Sequence, residues 1–232
     1  MIVAKSQTKP RGAGSYWRDT PHDQLLDLIE KETANRRWAI TARERYYSPD
    51  LADMAVIYSA RYPAGHTPRG LDKTNTELLL AVQHSNAQRS AIQLYGGVIV
   101  PAADSYAYLP LSRYPLGKHT TGSMERLALN LRESLVVFVE KADDYAKTLK
   151  RLGKALLGRM ELGMLLSQAG RTAIMPWSRL GLMDKMFAKQ PTADAWTLLK
   201  CFGSVVKLNP ELKQLDQTYR FYRQVSNLVG EE

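Results

Sequence analysis

The sequence predicts an α+β fold in which an antiparallel sheet of about four to five strands packs against one long helix, followed by a helical C-terminal extension. Three observations predict it. Apolar residues that alternate or form short runs before residue 101 are typical of strands. From residue 122 to residue 157, apolar residues recur at three- and four-residue steps, which is typical of an amphipathic helix. Capping residues mark further helix starts nearer the C-terminus.

The N-terminal third is predicted to contain a basic arm, a helix and two strands. Residues 1–15 are polar, contain Gly and Pro, and predict a flexible basic arm. Thr20-Pro21 followed by Asp23 predicts a helix start, because a hydroxyl caps the helix and proline suits its first position. Alternation then predicts one strand from Trp38 and a second around Val56. Residues 63–76, with two prolines and two glycines, predict a loop.

The remaining elements follow from the same patterns. Two strands are predicted at residues 78–84 and 90–100, joined by a short hairpin connection, and Gly96-Gly97 should interrupt or bend the second. Residues 101–120 contain three prolines and predict a long loop or a short edge strand. After the long helix, helices are expected at residues 160–169, 192–206 and 210–228. The chain should thus divide into the arm at 1–15, an α+β core at 16–158 and a helical extension at 159–232.

Composition favours an acidic partner. The chain of 232 residues has 32 Lys+Arg against 23 Asp+Glu, a formal net charge of +9 and a pI of about 9.6, which favours polyanions such as nucleic acid. The single cysteine, Cys201, excludes an internal disulfide and favours a reducing compartment, so we expect a cytoplasmic protein. No apolar run approaches the ~20 residues that span a bilayer, and no signal peptide is expected, so the sequence predicts no membrane partner.

The sequence does not predict an enzyme. His22, His66, His84 and His119 lack the spacing of metal ligands, so neither a metal site nor a cofactor is expected. The segment Gly117-Lys118-His119-Thr120 is unlike a phosphate-binding loop, because Ser112 stands where that motif needs its first glycine. We therefore expect no catalytic residues.

Single-stranded nucleic acid needs cations for its phosphates and aromatic rings for its bases, and the chain interleaves both. Aromatic residues at strand or helix spacing are usually core, so we favour the proline-rich segment that precedes the long helix, whose N-terminus would also attract phosphate. Two sets of basic residues are added, a stripe at the end of the long helix and an arginine pair. The predicted nucleic-acid-binding residues are Tyr106, Tyr108, Arg113, Tyr114, Lys118 and His119, with Lys147, Lys150, Arg151 and Lys154, and with Arg43 and Arg45.

Several short segments between residues 75 and 205 resemble those of a known family. They are Gln83-His84-Ser85, Arg89-Ser90-Ala91-Ile92, Gly97-Val98-Ile99-Val100, Lys118-His119-Thr120 and Ala195-Trp196-Thr197. With these segments the chain is similar to the phage/plasmid-like protein family of unknown function, although Pro101-Ala102-Ala103 stands where that family usually has Cys-x-Asn. In size and basic character the chain is also similar to the single-stranded-DNA-binding transcription cofactors of N4-like phages.

Together these features predict a non-enzymatic phage protein that binds single-stranded DNA with little sequence specificity. It would act in viral transcription, as a cofactor of a phage RNA polymerase, or in replication, within the host-cell cytoplasm. The helical extension would make it a homo-oligomer. Two alternatives remain open: a recombination protein that anneals single strands, and a host-interaction protein whose basic charge meets acidic protein surfaces.

Overall fold

A computed structural model describes residues 21–61, 76–86, 91–102, 105–117, 123–207 and 213–230. The predicted basic arm and all but residue 76 of the predicted loop at 63–76 lie outside these ranges. Within them the chain forms six helices and five strands. In chain order these are α1 (His22–Asn35), β1 (Ala39–Tyr47), β2 (Asp53–Arg61), β3 (Glu77–Ser85), β4 (Ile92–Ala102), β5 (Ser105–Gly117), α2 (Ser123–Leu152), α3 (Arg159–Arg171), α4 (Trp177–Phe187), α5 (Ala195–Lys207) and α6 (Gln214–Leu228).

The five strands form one antiparallel sheet in sequential order, β1-β2-β3-β4-β5. Asp53 of β2 lies opposite Ser85 of β3, and Ala60 lies opposite Leu78, so these two strands pair along their whole length. Eight of the nine residues of β2 are buried, as expected for an inner strand covered on both faces. The predicted α+β class, with an antiparallel sheet of four to five strands, a long helix and C-terminal helices, is confirmed.

The segment after β4 differs from its prediction. Of the two alternatives expected at residues 101–120, a long loop or a short edge strand, the structure has the edge strand, but β5 is longer than expected, with 13 residues. An edge strand tolerates Pro110 and Pro115, because one of its sides needs no hydrogen-bond donors. Nor does Gly96-Gly97 interrupt β4. A methyl group on Gly97 would lie 2.8 Å from the Leu111 nitrogen, so the glycine permits a close approach of β5.

The helices follow their predictions with four differences, one of which is that the last helix, expected from residue 210, begins at Gln214 with Lys213 at the cap position. The long helix α2 was expected to continue to residue 157 but ends at Leu152. The side chain of Asp194, rather than that of Thr192, caps α5, accepting a hydrogen bond from the Thr197 backbone nitrogen at 2.7 Å. Helix α4 was not predicted at all. The predicted capping residue Asn209 of the last helix lies outside the described residues.

The described chain forms two compact units. The first contains α1, β1–β3, residues 92–96 of β4, residues 112–117 of β5 and residues 123–142 of α2, and its buried core includes Ile29, Leu80 and Phe138. The second contains residues 97–102 of β4, residues 105–111 of β5, residues 143–152 of α2, and α3–α6. In its core the rings of Phe202 and Phe221 stack with centroids 4.1 Å apart. The predicted division at residue 158 stays a prediction.

None of the helices in the described ranges has the length and apolarity needed to cross a membrane.

Candidate nucleic-acid interface

The aromatic residues predicted to bind bases differ in exposure. Tyr106, in the second unit, is exposed, whereas Tyr108 of the same unit is buried. In the first unit Arg113 is exposed and Tyr114 is half-buried. The three tyrosines lie on the same face of β5, which packs Tyr108 into the fold where a loop would have left it exposed. Lys118 and His119, the last two residues of this predicted cluster, lie outside the described residues.

The basic stripe predicted at the end of the long helix belongs to the second unit. Lys147 and Lys150 are exposed on α2, Arg151 is half-buried, and exposed Lys154 follows the end of the helix. The Lys147 ammonium donates a hydrogen bond to Oδ1 of Asp144 at 2.9 Å. Both partners of that ion pair are largely exposed, so it is weak and can exchange for a phosphate contact.

The predicted arginine pair faces carboxylates of the first unit. The Arg43 guanidinium donates to both carboxylate oxygens of Glu77, the Oε1 atom lying 2.6 Å away. Burial alone would raise the pKa of Glu77, but hydrogen bonds from Ser59 and Arg43 hold that pKa below its ordinary value. Arg45 lies 4.0 Å from a carboxylate oxygen of Glu30. Both arginines therefore have a carboxylate that competes with phosphate.

Two histidines that are distant in sequence meet in the first unit. The Nδ1 atoms of His22 and His84 lie 2.7 Å apart, and Nε2 of His22 lies 2.9 Å from the carbonyl oxygen of Leu51. Both rings are almost fully buried, so a substrate cannot reach them. Across the part of the chain that the structure describes, no group of three or more His, Cys, Asp or Glu side chains could hold a metal ion. The pair connects α1 to β3.

Burial also makes the thiol of the single cysteine unreactive. Cys201 lies in the core of the second unit, where burial raises the pKa of its thiol. A buried thiol with a raised pKa holds little thiolate at neutral pH and reacts slowly. Cys201 therefore does not offer a nucleophile.

An exposed tryptophan lies on the second unit, at a position that no sequence pattern indicated. Trp177 is the first residue of α4, follows Pro176, and is 59% exposed, although tryptophan is usually well buried. Its ring lies against Gly170 of α3. A methyl group on Gly170 would lie 2.6 Å from Cε2 of the indole, closer than carbon atoms pack. Only glycine at this position lets the ring rest on α3 while most of its surface remains open.

The connection between α3 and α4 fixes this arrangement. Ala173 has a positive φ of 51°, which turns the chain sharply after α3. The carbonyl of Thr172 accepts a hydrogen bond from the Arg220 guanidinium of α6 at 2.7 Å, and its hydroxyl pairs with the Gln224 amide at 3.2 Å. These bonds hold Arg220 beside the turn that precedes Trp177. We call Gly170, Arg171, Trp177, Arg179 and Arg220 the Trp177 platform.

All platform residues except Arg220 lie within the most basic part of the chain. Residues 150–189 contain eight basic and only two acidic residues, a net charge of +6 out of the +9 of the whole molecule. Six of the eight basic residues are exposed and two are half-buried. The predicted residues Lys150, Arg151 and Lys154 begin this run, and the others are Arg159, Arg171, Arg179, Lys185 and Lys189.

Comparisons with protein-family models, with curated proteins and with solved structures found no match for this chain. An exposed indole offers a flat face of the kind on which nucleobases stack, and guanidinium groups such as those of Arg171 and Arg220 are of the kind that binds phosphate oxygens. The Arg220 guanidinium also lies 4.0 Å from Oδ2 of Asp216. Because the ring is held by α3, stacking costs little further ordering of the side chain.

Proposed function

We propose that this chain is a non-enzymatic protein that binds single-stranded DNA with little sequence specificity. The observation that carries the proposal is the exposed Trp177 ring, held against Gly170 within a segment of net charge +6. Single-strand binders combine stacking platforms with cations that follow the backbone, and the second unit offers both.

The same chemistry favours single strands over duplex DNA. In a duplex the bases are stacked on one another, so an exposed indole has no base face to contact. A protein that uses phosphate contacts and base faces reads little sequence, because every base has a π face and every nucleotide has a phosphate. We therefore expect similar affinities for oligonucleotides of different sequence.

The first test removes the stacking face. We expect Trp177→Ala to lose about 1–3 kcal/mol of binding free energy for an oligonucleotide of about 20 nucleotides, because one base loses its stacking partner. Such a loss raises the Kd by roughly 5- to 150-fold. Fluorescence anisotropy of a labelled oligonucleotide measures it, with a duplex of equal length as comparison.

Two further variants control this test. Gly170→Ala keeps the indole and every charge but displaces the ring from α3, so it should also weaken binding. Leu182→Ala removes an exposed apolar side chain from the same helix and should leave the Kd unchanged. Thermal unfolding checks that each variant is folded. Wild-type affinity in both Trp177→Ala and Gly170→Ala, or tighter binding of the duplex, would exclude the platform as a single-strand site.

The biological setting belongs to the same proposal. We propose a phage protein that works in the host-cell cytoplasm, in viral transcription beside an RNA polymerase or in replication, with several copies covering one strand. The phage setting is what the sequence resemblance implies. A strand-annealing protein would bind in the same manner but would also accelerate pairing of complementary strands, which a fluorescence-quenching assay with two labelled strands detects.

A further inference from the structure

We propose that the N-terminal part of α3, together with the residue Leu156 before it, docks an acidic amphipathic helix of another protein. Leu156, Met160 and Met164 are 77%, 73% and 56% exposed. Met160 and Met164 lie about one turn apart on α3, and Leu156 lies four residues before Met160, in the bridge that precedes the helix. Leu165 and Ala169 bury the opposite side of α3. We call the three exposed side chains the α3 apolar row. None of these three side chains belongs to the Trp177 platform, although Lys154, Arg159 and Arg171 near them belong to the basic run proposed to bind DNA.

The row is held in place before any partner arrives. The backbone on either side of Leu156 pairs with residues 193–195: the Leu157 nitrogen donates to the Ala193 carbonyl at 2.8 Å, and the Ala195 nitrogen donates to the Ala155 carbonyl at 2.9 Å. Leu157 is buried, whereas Leu156 projects into solvent. Binding at this row therefore requires little ordering of the chain, which preserves affinity.

The surface around the row would accommodate a helix. Nothing lies within 4 Å of a methyl group placed on Gly163, which sits beside Met164, so the α3 backbone is open to close approach there. Methionine side chains are flexible and polarizable and suit surfaces that bind amphipathic helices. Such a helix would present its apolar residues, at three- and four-residue steps, to Met160 and Met164.

The basic residues near the α3 apolar row favour an acidic partner. Lys154, Arg159 and Arg171 are exposed along the same segment. Glu161 is the one acidic residue between positions 145 and 183, and its carboxylate turns back towards Gly158 at the start of α3. A second copy of this chain would bring like charges together, which disfavours self-association through the row. An acidic helix brings complementary charge to the same basic residues.

The test uses three synthetic peptides of about 18 residues, labelled for fluorescence anisotropy at about 0.15 M salt. One is an amphipathic helix with leucine on one face and glutamate on the other. The second has the same composition in scrambled order, and the third replaces each glutamate by lysine. We expect the first peptide to bind at least about tenfold more tightly than the other two.

Variants of the full chain locate the site. Met160→Ser together with Met164→Ser should weaken binding of the acidic amphipathic peptide at least about tenfold, and Arg159→Glu should also weaken it. Leu182→Ser, which alters an exposed apolar residue of α4, should leave peptide binding unchanged. Circular dichroism checks the fold. Binding of single-stranded oligonucleotides should be unaffected in the double methionine variant, so this proposal and the DNA-binding proposal can fail separately.

Several results would overturn the proposal. Equal binding of the scrambled peptide would show attraction by charge alone, and full binding by the double methionine variant would place the peptide elsewhere. If that variant loses binding to phosphatidylserine-containing vesicles rather than to the peptide, the row contacts lipid. If sedimentation shows a wild-type dimer that the same variant dissociates, the row joins two copies.

Discussion

At the scale of single residues, the buried pair of His22 and His84 shows how two positions 62 residues apart depend on each other. A carbonyl oxygen only accepts hydrogen bonds, so Nε2 of His22 donates to Leu51. In a neutral ring the Nδ1 atom of His22 is then an acceptor, and Nδ1 of His84 must be the donor. The sequence could not reveal this pair, because the histidines lie in different elements and share no spacing.

We expect a double-mutant cycle to detect this dependence. His22→Ala and His84→Ala should each lower the free energy of unfolding by about 1–3 kcal/mol or more, because each leaves its buried partner without a hydrogen bond. The double variant should lose less than the sum of the single losses, by about 1 kcal/mol. Urea unfolding measures all four proteins. Strict additivity would show that the two rings do not share a hydrogen bond.

The ion pair between Glu32 and Arg132 gives a second residue-scale prediction. Two hydrogen bonds from the Arg132 guanidinium, each 2.8 Å long, hold the pKa of the buried Glu32 carboxyl below its ordinary value despite burial. An unfolded glutamate has an ordinary pKa of about 4.3. Because the pKa of Glu32 is lower in the folded state, the ion pair stabilises the fold above about pH 4.3, and this stabilisation is lost as the pH falls through the folded-state pKa. Glu32→Gln should therefore be less stable than wild type at pH 7, and the difference should shrink below about pH 4.3. Urea midpoints at several pH values test it, and a constant difference would contradict it.

At the scale of elements, apolar periodicity predicted the helices and strands whose buried face is formed by their own regularly spaced residues. The stripe of α2 and the apolar runs of β2 and β3 identify these elements, because each buries a face that its own residues define. The strand β5 could not be read in the same way, because its prolines are typical of loops unless the strand lies at an edge. Helix α4 was not predicted because it is short and its apolar pattern is weak: its buried face consists of Leu180, Met183 and Phe187.

The close approach of β5 to Gly97 of β4 gives the element-scale prediction. Gly97→Ala would push a methyl group into the Leu109 carbonyl, the Leu111 nitrogen and the Pro110 Cα atom, all of them backbone atoms that cannot move independently. We expect a loss of about 1–3 kcal/mol in the free energy of unfolding, as for other overpacked sites. Gly181→Ala is the matched control, because that glycine lies in exposed α4 with open space around it. It should gain about 0.5–1 kcal/mol from the better helix former, and thermal unfolding separates the two outcomes.

At the scale of the whole molecule, composition gives the net charge, but the sequence pattern predicted only part of where the basic residues lie on the surface. The sequence pattern indicated that Lys150, Arg151 and Lys154 form a basic run, and the structure extends this run through α3 and α4. Trp177 carried no such signal. Its exposure depends on contact with Gly170 of another helix and on a turn tied to α6, and neither contact leaves a period in the sequence.

Charge position, rather than total charge, should govern the salt dependence of DNA binding. Lys150→Gln with Arg171→Gln removes two exposed cations from the basic run of the second unit, whereas Arg43→Gln with Arg45→Gln removes two cations that already face Glu77 and Glu30. Each double variant lowers the formal net charge from +9 to +7, so long-range attraction falls equally. If the basic run follows the phosphates, the first variant should reduce the log–log salt slope for single-stranded DNA by about 0.7 for each lost contact, and the second should leave it nearly unchanged. Anisotropy titrations over a range of salt concentrations measure both slopes. Equal slopes in the two variants would mean that DNA binding depends only on the net charge of the molecule. A larger change in the variant with Arg43→Gln and Arg45→Gln would indicate that the interface lies on the first unit.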